Sequence, residues 1–431
     1  MRVVAALLIA AAVAVGFSVA PGSPRETQVS VHESEWKIVL STNTVPVGTV
    51  VFTVTNDGAE LHDFSILGRT TPPLGPGQTA TLTVTFTQPG KYEYVSTRDD
   101  VDVEMYGTLT VVGSPLATTT ATTAKTTTAA DSLPLVRVAD VPLPDGSSRF
   151  DYQSLDPTRG RLYVAHLGAG TIAVVDVRRR KVVGDVHGVP GVHGVIAVPS
   201  LGRVFATATD AGKVAVIRGM SVAATAPAGS YPDGLAFDPV HARLFVSDEH
   251  GDAEIVVDAR RMRALGRVAL GGEAGNVQYD PGSRRMLVAV AEREQLVELA
   301  TKPARIVARR PLPGCKGAHG VHLDPSRRLA FVACEDDARL LVFDLRTHHV
   351  TASFVVGDAP DVLDFDPGLR RLYVAAESGV VAVFDERGRT LVKVGQALLA
   401  PHAHSVAVDP ATHLVYFPLE DGPVLRVLRP G

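Results

Sequence analysis

Cysteine is nearly absent. The 431 residues carry only Cys315 and Cys334, so a disulfide-dense scaffold is excluded. No Cys-x-x-Cys-His stretch occurs, which excludes covalently attached c-type haem. Neither sign of charge dominates: 42 Lys and Arg face 46 Asp and Glu, a formal net charge of −4. Electrostatic capture of nucleic acid is therefore not expected. Gly-x-Ser-x-Gly, phosphate-loop and dinucleotide fingerprints are also missing. A hydrophobic share of 45% marks a globular chain, and its length allows two or three domains.

One stretch organises most of what is present. Phe365–Gly388 reads FDPGLRRLYVAAESGVVAVFDERG: an Asp-Pro turn, an apolar strand, a short loop and a second apolar strand. It recurs. Anchored on the residue before each proline, the copies begin at Asp156, Val198, Asp238, Asp280, Asp324, Asp366 and Asp409, in steps of 42, 40, 42, 44, 42 and 43 residues. Five residues on stands Arg161, Arg203, Arg243, Arg285 or Arg371, with Leu329 and Leu414 in the other copies. A period of about 40–45 residues holding four short strands is the signature of a propeller blade. Seven copies predict seven blades over 134–431. In each blade, strand A precedes the Asp-Pro turn, strand B carries the aromatic residue, and strands C and D follow. The strand-B arginines are expected to pair with the Asp of their own turn. The last copy ends after strand C at Val424–Leu428. Leu135–Leu143 reads as a D strand without a blade, so the two are predicted to pair and close the ring.

The segments before the propeller differ in character. Arg2 followed by an apolar run to Ala20 has the layout of a secretory signal, and an uncleaved anchor is the alternative. Either predicts export: secreted, periplasmic or at the cell surface, with membrane contact only through that anchor. Residues 27–112 alternate at period two in Val50–Thr55, Thr79–Phe86 and Thr108–Val112, which predicts a small antiparallel sandwich. Residues 113–133 are dominated by Thr, Ala and Ser and read as a linker.

Two resemblances follow from particular residues. Glu60–Phe64 (ELHDF), Pro89–Tyr94 (PGKYEY) and Met105–Leu109 (MYGTL) resemble a cupredoxin. That resemblance implies a copper site of two His, a Cys thiolate and a weak Met. His62 and Met105 match two of those places, Ser96 stands at the cysteine place, and Thr97–Glu104 holds no histidine. Type 1 copper is therefore not expected, and the domain is given a structural or docking role. FDPGLRRLYVAAESG, YPDGLAFDP, AHGVHLDP and LDPTRGRLYVAHLGAGTIAVVD are similar to YVTN-type, YncE-like propellers. This implies an exported repeat protein and selects no activity. The fold class expected is all-β, a seven-bladed propeller after a cupredoxin-like sandwich.

Candidate site residues come from the register. In a propeller the D–A and B–C connections share one face around the central channel. Five residues before each anchor stand Asp151, His193, Asp233, Gly275, His319, Asp361 and His404. Eleven residues after it stand Glu249, Glu335, Glu377 and Glu420, with His166 and Asp248 one residue earlier in two blades. His402 adds to the last blade. Turn chemistry accounts for single Asp residues here, and a Glu in a surface loop is usually a solvated charge. Three histidines at one offset are harder to explain that way. The rim is therefore read as a ligand site, with His193, His319 and His404 as candidate ligands for a divalent metal. Cys315 and Cys334 fall in the same sector and are expected to form a disulfide, the alternative being a free pair binding metal with His319. Function is read as ligand or partner binding by a monomeric scaffold. The alternative is a metal-dependent enzyme, either a lactonase-like hydrolase or an oxidoreductase.

Overall fold

A computed structural model describes residues 27–34, 37–67, 69–86, 89–96, 105–113 and 132–431. The signal or anchor segment, most of the linker and Thr97–Glu104 lie outside the described residues. The chain divides into two compact units, Met1–Thr123 and Ala124–Gly431.

The first unit is a sandwich of two sheets. One runs in the order Lys37–Leu40, Thr27–Ser34, Gly48–Asn56, Thr79–Phe86. The other runs Thr44–Pro46, Tyr106–Val112, Gly90–Val95, Ser65–Ile66, Arg69–Thr70. The expected all-antiparallel pairing needs correction, because Thr27–Ser34 runs parallel to Gly48–Asn56 and Thr44–Pro46 parallel to Tyr106–Val112. A crossover from one sheet to the other returns each strand in the same sense as its neighbour. Phe52, Phe64, Phe86 and Tyr94 fill the space between the sheets. Burying each such side chain contributes roughly 1.5–3 kcal/mol.

The second unit is a seven-bladed β-propeller. Seven four-stranded antiparallel sheets follow one another. Each inner strand abuts the next, and Ala407–Asp409 of the last blade abuts Gln153–Asp156 of the first. The core lies between blades: Leu162 and Val164 pack on Tyr416 and Leu425, and Phe331 and Leu340 on Leu372 and Phe384. Strands B and C are covered on both faces, which is why Arg371–Ala376 reads as an apolar run after its first residue. Strand D faces solvent, and Arg263–Ala269 is exposed at nearly every position. The ring closes as the sequence predicts. Leu135–Pro142 pairs antiparallel with Val424–Pro430, and Asp140 accepts two hydrogen bonds of 3.0 Å from Arg426.

The Asp-Pro anchors cap their own turns. Asp366 Oδ1 accepts the N–H groups of Gly368 at 2.8 Å and Leu369 at 3.0 Å. Its other oxygen meets His413 Nδ1 of the next blade at 2.8 Å. With the carboxylates so engaged, the strand-B arginines go elsewhere, contrary to expectation. Register sets Arg161 opposite Asp176 and Arg371 opposite Asp385 at the end of strand C, and they pair there at 2.5 and 2.8 Å. Arg203 and Arg243 instead donate to carbonyls of the following blade.

Candidate functional site

The A strands deliver one residue per blade to the channel mouth just as each strand begins. Close approach is needed there. A Cβ on Gly320 would stand 2.0 Å from the Asp361 carbonyl oxygen, and one on Gly194 2.4 Å from that of Asp233. With glycine at those places, Asp and His of successive blades meet. Asp151 is the joint of the ring. It falls within 4.8 Å of His193 and Asp233 on one side, and within the same distance of Asp361 and His404 on the other. Gly275 leaves a gap, which Glu249 and Glu273 fill beside His319.

The three histidines share an offset but are not one ligand set. Each sits in a different group, separated from the next by carboxylates. His319 is a cation. Its Nε2 is 3.5 Å from Asp361 and its Nδ1 3.8 Å from Glu335. Burial opposes the charge, yet Glu335, Asp361, Glu249 and Asp233 together push the imidazole up to about 10. His193 has both nitrogens engaged: Nδ1 donates to the Gly191 carbonyl at 2.8 Å, and the Tyr231 hydroxyl lies 3.2 Å from Nε2. His404 is buried, and desolvation holds it below the ordinary histidine range.

The outer carboxylates divide as well. Glu377 takes a two-pronged ion pair from Arg149, at 2.7 and 3.3 Å. Although burial opposes it, the charge and hydrogen bond of Arg149 bring Glu377 down to about 2. Glu249 has no such partner; burial and then Asp233 push it up to about 8. Burial likewise raises Glu335, Asp361 and Asp151. His402 is exposed and its carbonyl accepts from His404. Glu420 stands half-buried in its B–C turn. Asp248 is structural: its Oδ1 accepts from the Ser230 and Tyr231 N–H groups at 2.7 and 2.9 Å. His166 stacks on Phe150 and meets Ser148 Oγ at 2.8 Å.

Sequence reasoning missed Arg149, Tyr231, Glu273 and Tyr152. The signal was available. Reading the register seven residues before each anchor gives Arg149, Tyr231, Glu273 and His402 in one row. Tyr152 lies four residues before its anchor, where three other blades have glycine. Its hydroxyl donates to Asp361 Oδ1 at 3.4 Å, across the mouth from its own strand.

Cys315 and Cys334 are joined in a disulfide and buried beside this sector. In the sandwich, His62, Ser96 and Met105 are all buried. The Asp63 N–H reaches Ser96 Oγ at 3.4 Å, and the Ser96 N–H donates to the Met105 carbonyl at 2.9 Å. Two surface depressions of about 320 Å³ are present, one against Leu167, Gly170 and Asp210, the other against Arg285, Glu298 and His348. Among the described residues, no helix is long and apolar enough to cross a membrane.

Neither a protein-family profile nor a curated protein matches the sequence. Among solved structures, a chain of Kuenenia stuttgartiensis hydrazine synthase superposes with a TM-score of 0.58 at 14% identity. It covers 67% of this chain and 97% of that one. At that identity the likeness is one of fold alone.

Proposed function

We propose that this is an exported, monomeric binding protein whose propeller captures a positively charged ligand at the channel mouth. One observation carries the reading: Asp151 is shared by carboxylate–imidazole groups on both of its sides, so the side chains of separate blades act on one space. Among the described residues, seven carboxyl groups gather there, from Asp151, Asp233, Glu249, Glu273, Glu335, Asp361 and Glu377, with Arg149 and His319 beside them. Low-dielectric walls focus such a field and favour a cation over an anion. The recurring Asp-Pro and Leu-Tyr-Val segments support a reading of the propeller as YVTN-type and YncE-like. The apolar N-terminal run and the disulfide support export, and the sandwich, cupredoxin-like without a thiolate, supports docking rather than electron transfer.

The test is thermal unfolding of the full chain with spermidine as the cationic probe and citrate as the anionic control. A probe at one hundred times its dissociation constant stabilises by about 2.7 kcal/mol. Spermidine is expected to raise the transition in the wild type and to do so far less in Asp233→Asn/Glu249→Gln. Equal responses in both proteins, or none in either, would remove the reading. A second reading, a metal-dependent lactonase-like hydrolase or oxidoreductase, draws on the metal-like spacing of the same groups. It requires turnover that metal removal abolishes.

A further inference from the structure

Of the three equivalent histidines, His404 faces a buried carboxylate across a gap. A ring nitrogen 3.0 Å from a carbonyl must carry the proton, because the carbonyl has none to give. His404 Nδ1 is therefore the donor to the His402 carbonyl, and in the neutral ring Nε2 holds a lone pair. That lone pair looks across 3.9 Å at Asp151 Oδ1. Both residues are almost completely buried, and neither atom has a hydrogen-bond partner. The separation is too long for a shared proton. Two acceptors buried face to face with no donor between them cost free energy that a cation would recover. At the same place in the second blade the need is already met, by the Tyr231 hydroxyl at His193, while His319 lies among carboxylates at 3.5 and 3.8 Å.

We propose that Asp151, Asp361 and His404 hold a divalent first-row transition-metal ion, its remaining coordination positions opening on the channel mouth. This rests on the reading of the mouth as a cation-binding site and names the cation. One ligand atom from each of the three residues lies within 4.8 Å of the others. Bonds of about 2.0–2.2 Å to the ion place neighbouring ligand atoms roughly 3–4 Å apart, so a small inward movement closes the set. One imidazole with two carboxylates suits Zn²⁺ or Mn²⁺, whereas Ca²⁺ and Mg²⁺ prefer oxygen alone. The outer shell is built for the task. The His402 carbonyl fixes the tautomer of His404, and Glu377, locked by Arg149, lies 3.5 Å from the same Nδ1. The Tyr152 hydroxyl bonds Asp361.

The experiment uses the full chain, stripped with a chelator and then titrated with Zn²⁺ against a chromophoric competitor. Co²⁺ absorption serves as an independent readout. One ion per chain is expected, with affinity lower by about 100-fold or more in Asp151→Asn and in His404→Gln. Glu377→Gln is expected to lose about 10–100-fold, as an orienting partner does. Circular dichroism and melting of the metal-free variants establish that they fold, and Asp361→Asn replaces any that does not. Wild-type protein that binds less than one Zn²⁺ overturns the proposal, as does unchanged affinity in the folded variants. If Zn²⁺ fails while spermidine still stabilises the wild type, the metal site falls and the binding reading stands. If neither binds, both fall.

Discussion

Glu254 should make the propeller less stable as the solution becomes more basic, and its replacement by Gln should remove that loss. Glu254 lies opposite Ser247 in the third blade and has no solvent exposure. The Ser247 hydroxyl has a single proton, and the Gly275 carbonyl takes it at 2.7 Å. Ser247 Oγ also lies 3.0 Å from Glu254 Oε1, so one hydroxyl proton faces two acceptors, and Glu254 Oε2 is buried with no hydrogen-bond partner. Burial accordingly pushes Glu254 from 4.5 up to about 8. Between those values the folded protein keeps a proton that the unfolded chain has released, so stability falls as pH rises from 4.5 to about 8 and is level above it. A difference of about 3.5 units corresponds to roughly 5 kcal/mol, and to less as water reaches the ionised group. Gln has the same shape and an N–H₂ that can donate to Ser247 Oγ. The assay is urea unfolding of the full chain, followed by circular dichroism from pH 5 to 9. Wild type and Glu254→Gln should coincide near pH 5 and diverge steadily, with the variant more stable at pH 9. Parallel curves would refute the argument, because other buried carboxyl groups contribute equally to both proteins and cancel in the difference.

Other expectations follow from the same geometry. Replacing both Cys315 and Cys334 by Ser opens a loop whose ends are 19 residues apart and should cost about 3 kcal/mol in denaturant unfolding. An undiminished midpoint would deny the bond that role. Gly320→Ala should destabilise by roughly 1–3 kcal/mol, since its Cβ would meet backbone rather than a mobile side chain. A melt unchanged within error would show that the A strands are not held that close. Deleting residues 135–142 uncovers the Val424–Pro430 edge and should yield oligomers by size-exclusion chromatography; a stable monomer would mean the edge is protected otherwise. Spermidine should bind more tightly as pH rises toward 8, because it must displace the proton that burial leaves on Glu249. Calorimetry in buffers of different ionisation heat reads that proton release, and identical heats would count against it.

How much of this was legible in the sequence depends on what sets each feature. The blades, their number and the closing strand follow from backbone periodicity, which a repeat displays directly. The offset that gathers Asp151, His193, Asp233, His319, Asp361 and His404 was legible for the same reason. Chemical inequivalence within that row was not. His319 is surrounded because Glu335 and Asp361 come from two blades, and His193 is satisfied because Tyr231 comes from a third. An offset fixes where a Cα lies and leaves the neighbour across the blade boundary unstated. The strand-B arginines were misassigned on similar grounds: the nearest carboxylate in sequence was occupied by its own turn, and the partner in register was 14 or 15 residues on.

The closing ladder also has a mechanical side. Leu135 stands opposite Pro430, so both ends of the propeller leave the last blade at the same corner. Tension across those ends would load one backbone pair at a time and peel the strand away, as a zip opens, instead of shearing the whole ladder at once. A ring that resists heat through cooperative packing would thus give way at low force along a single seam, whose Arg426–Asp140 clasp lies part-way along the tear.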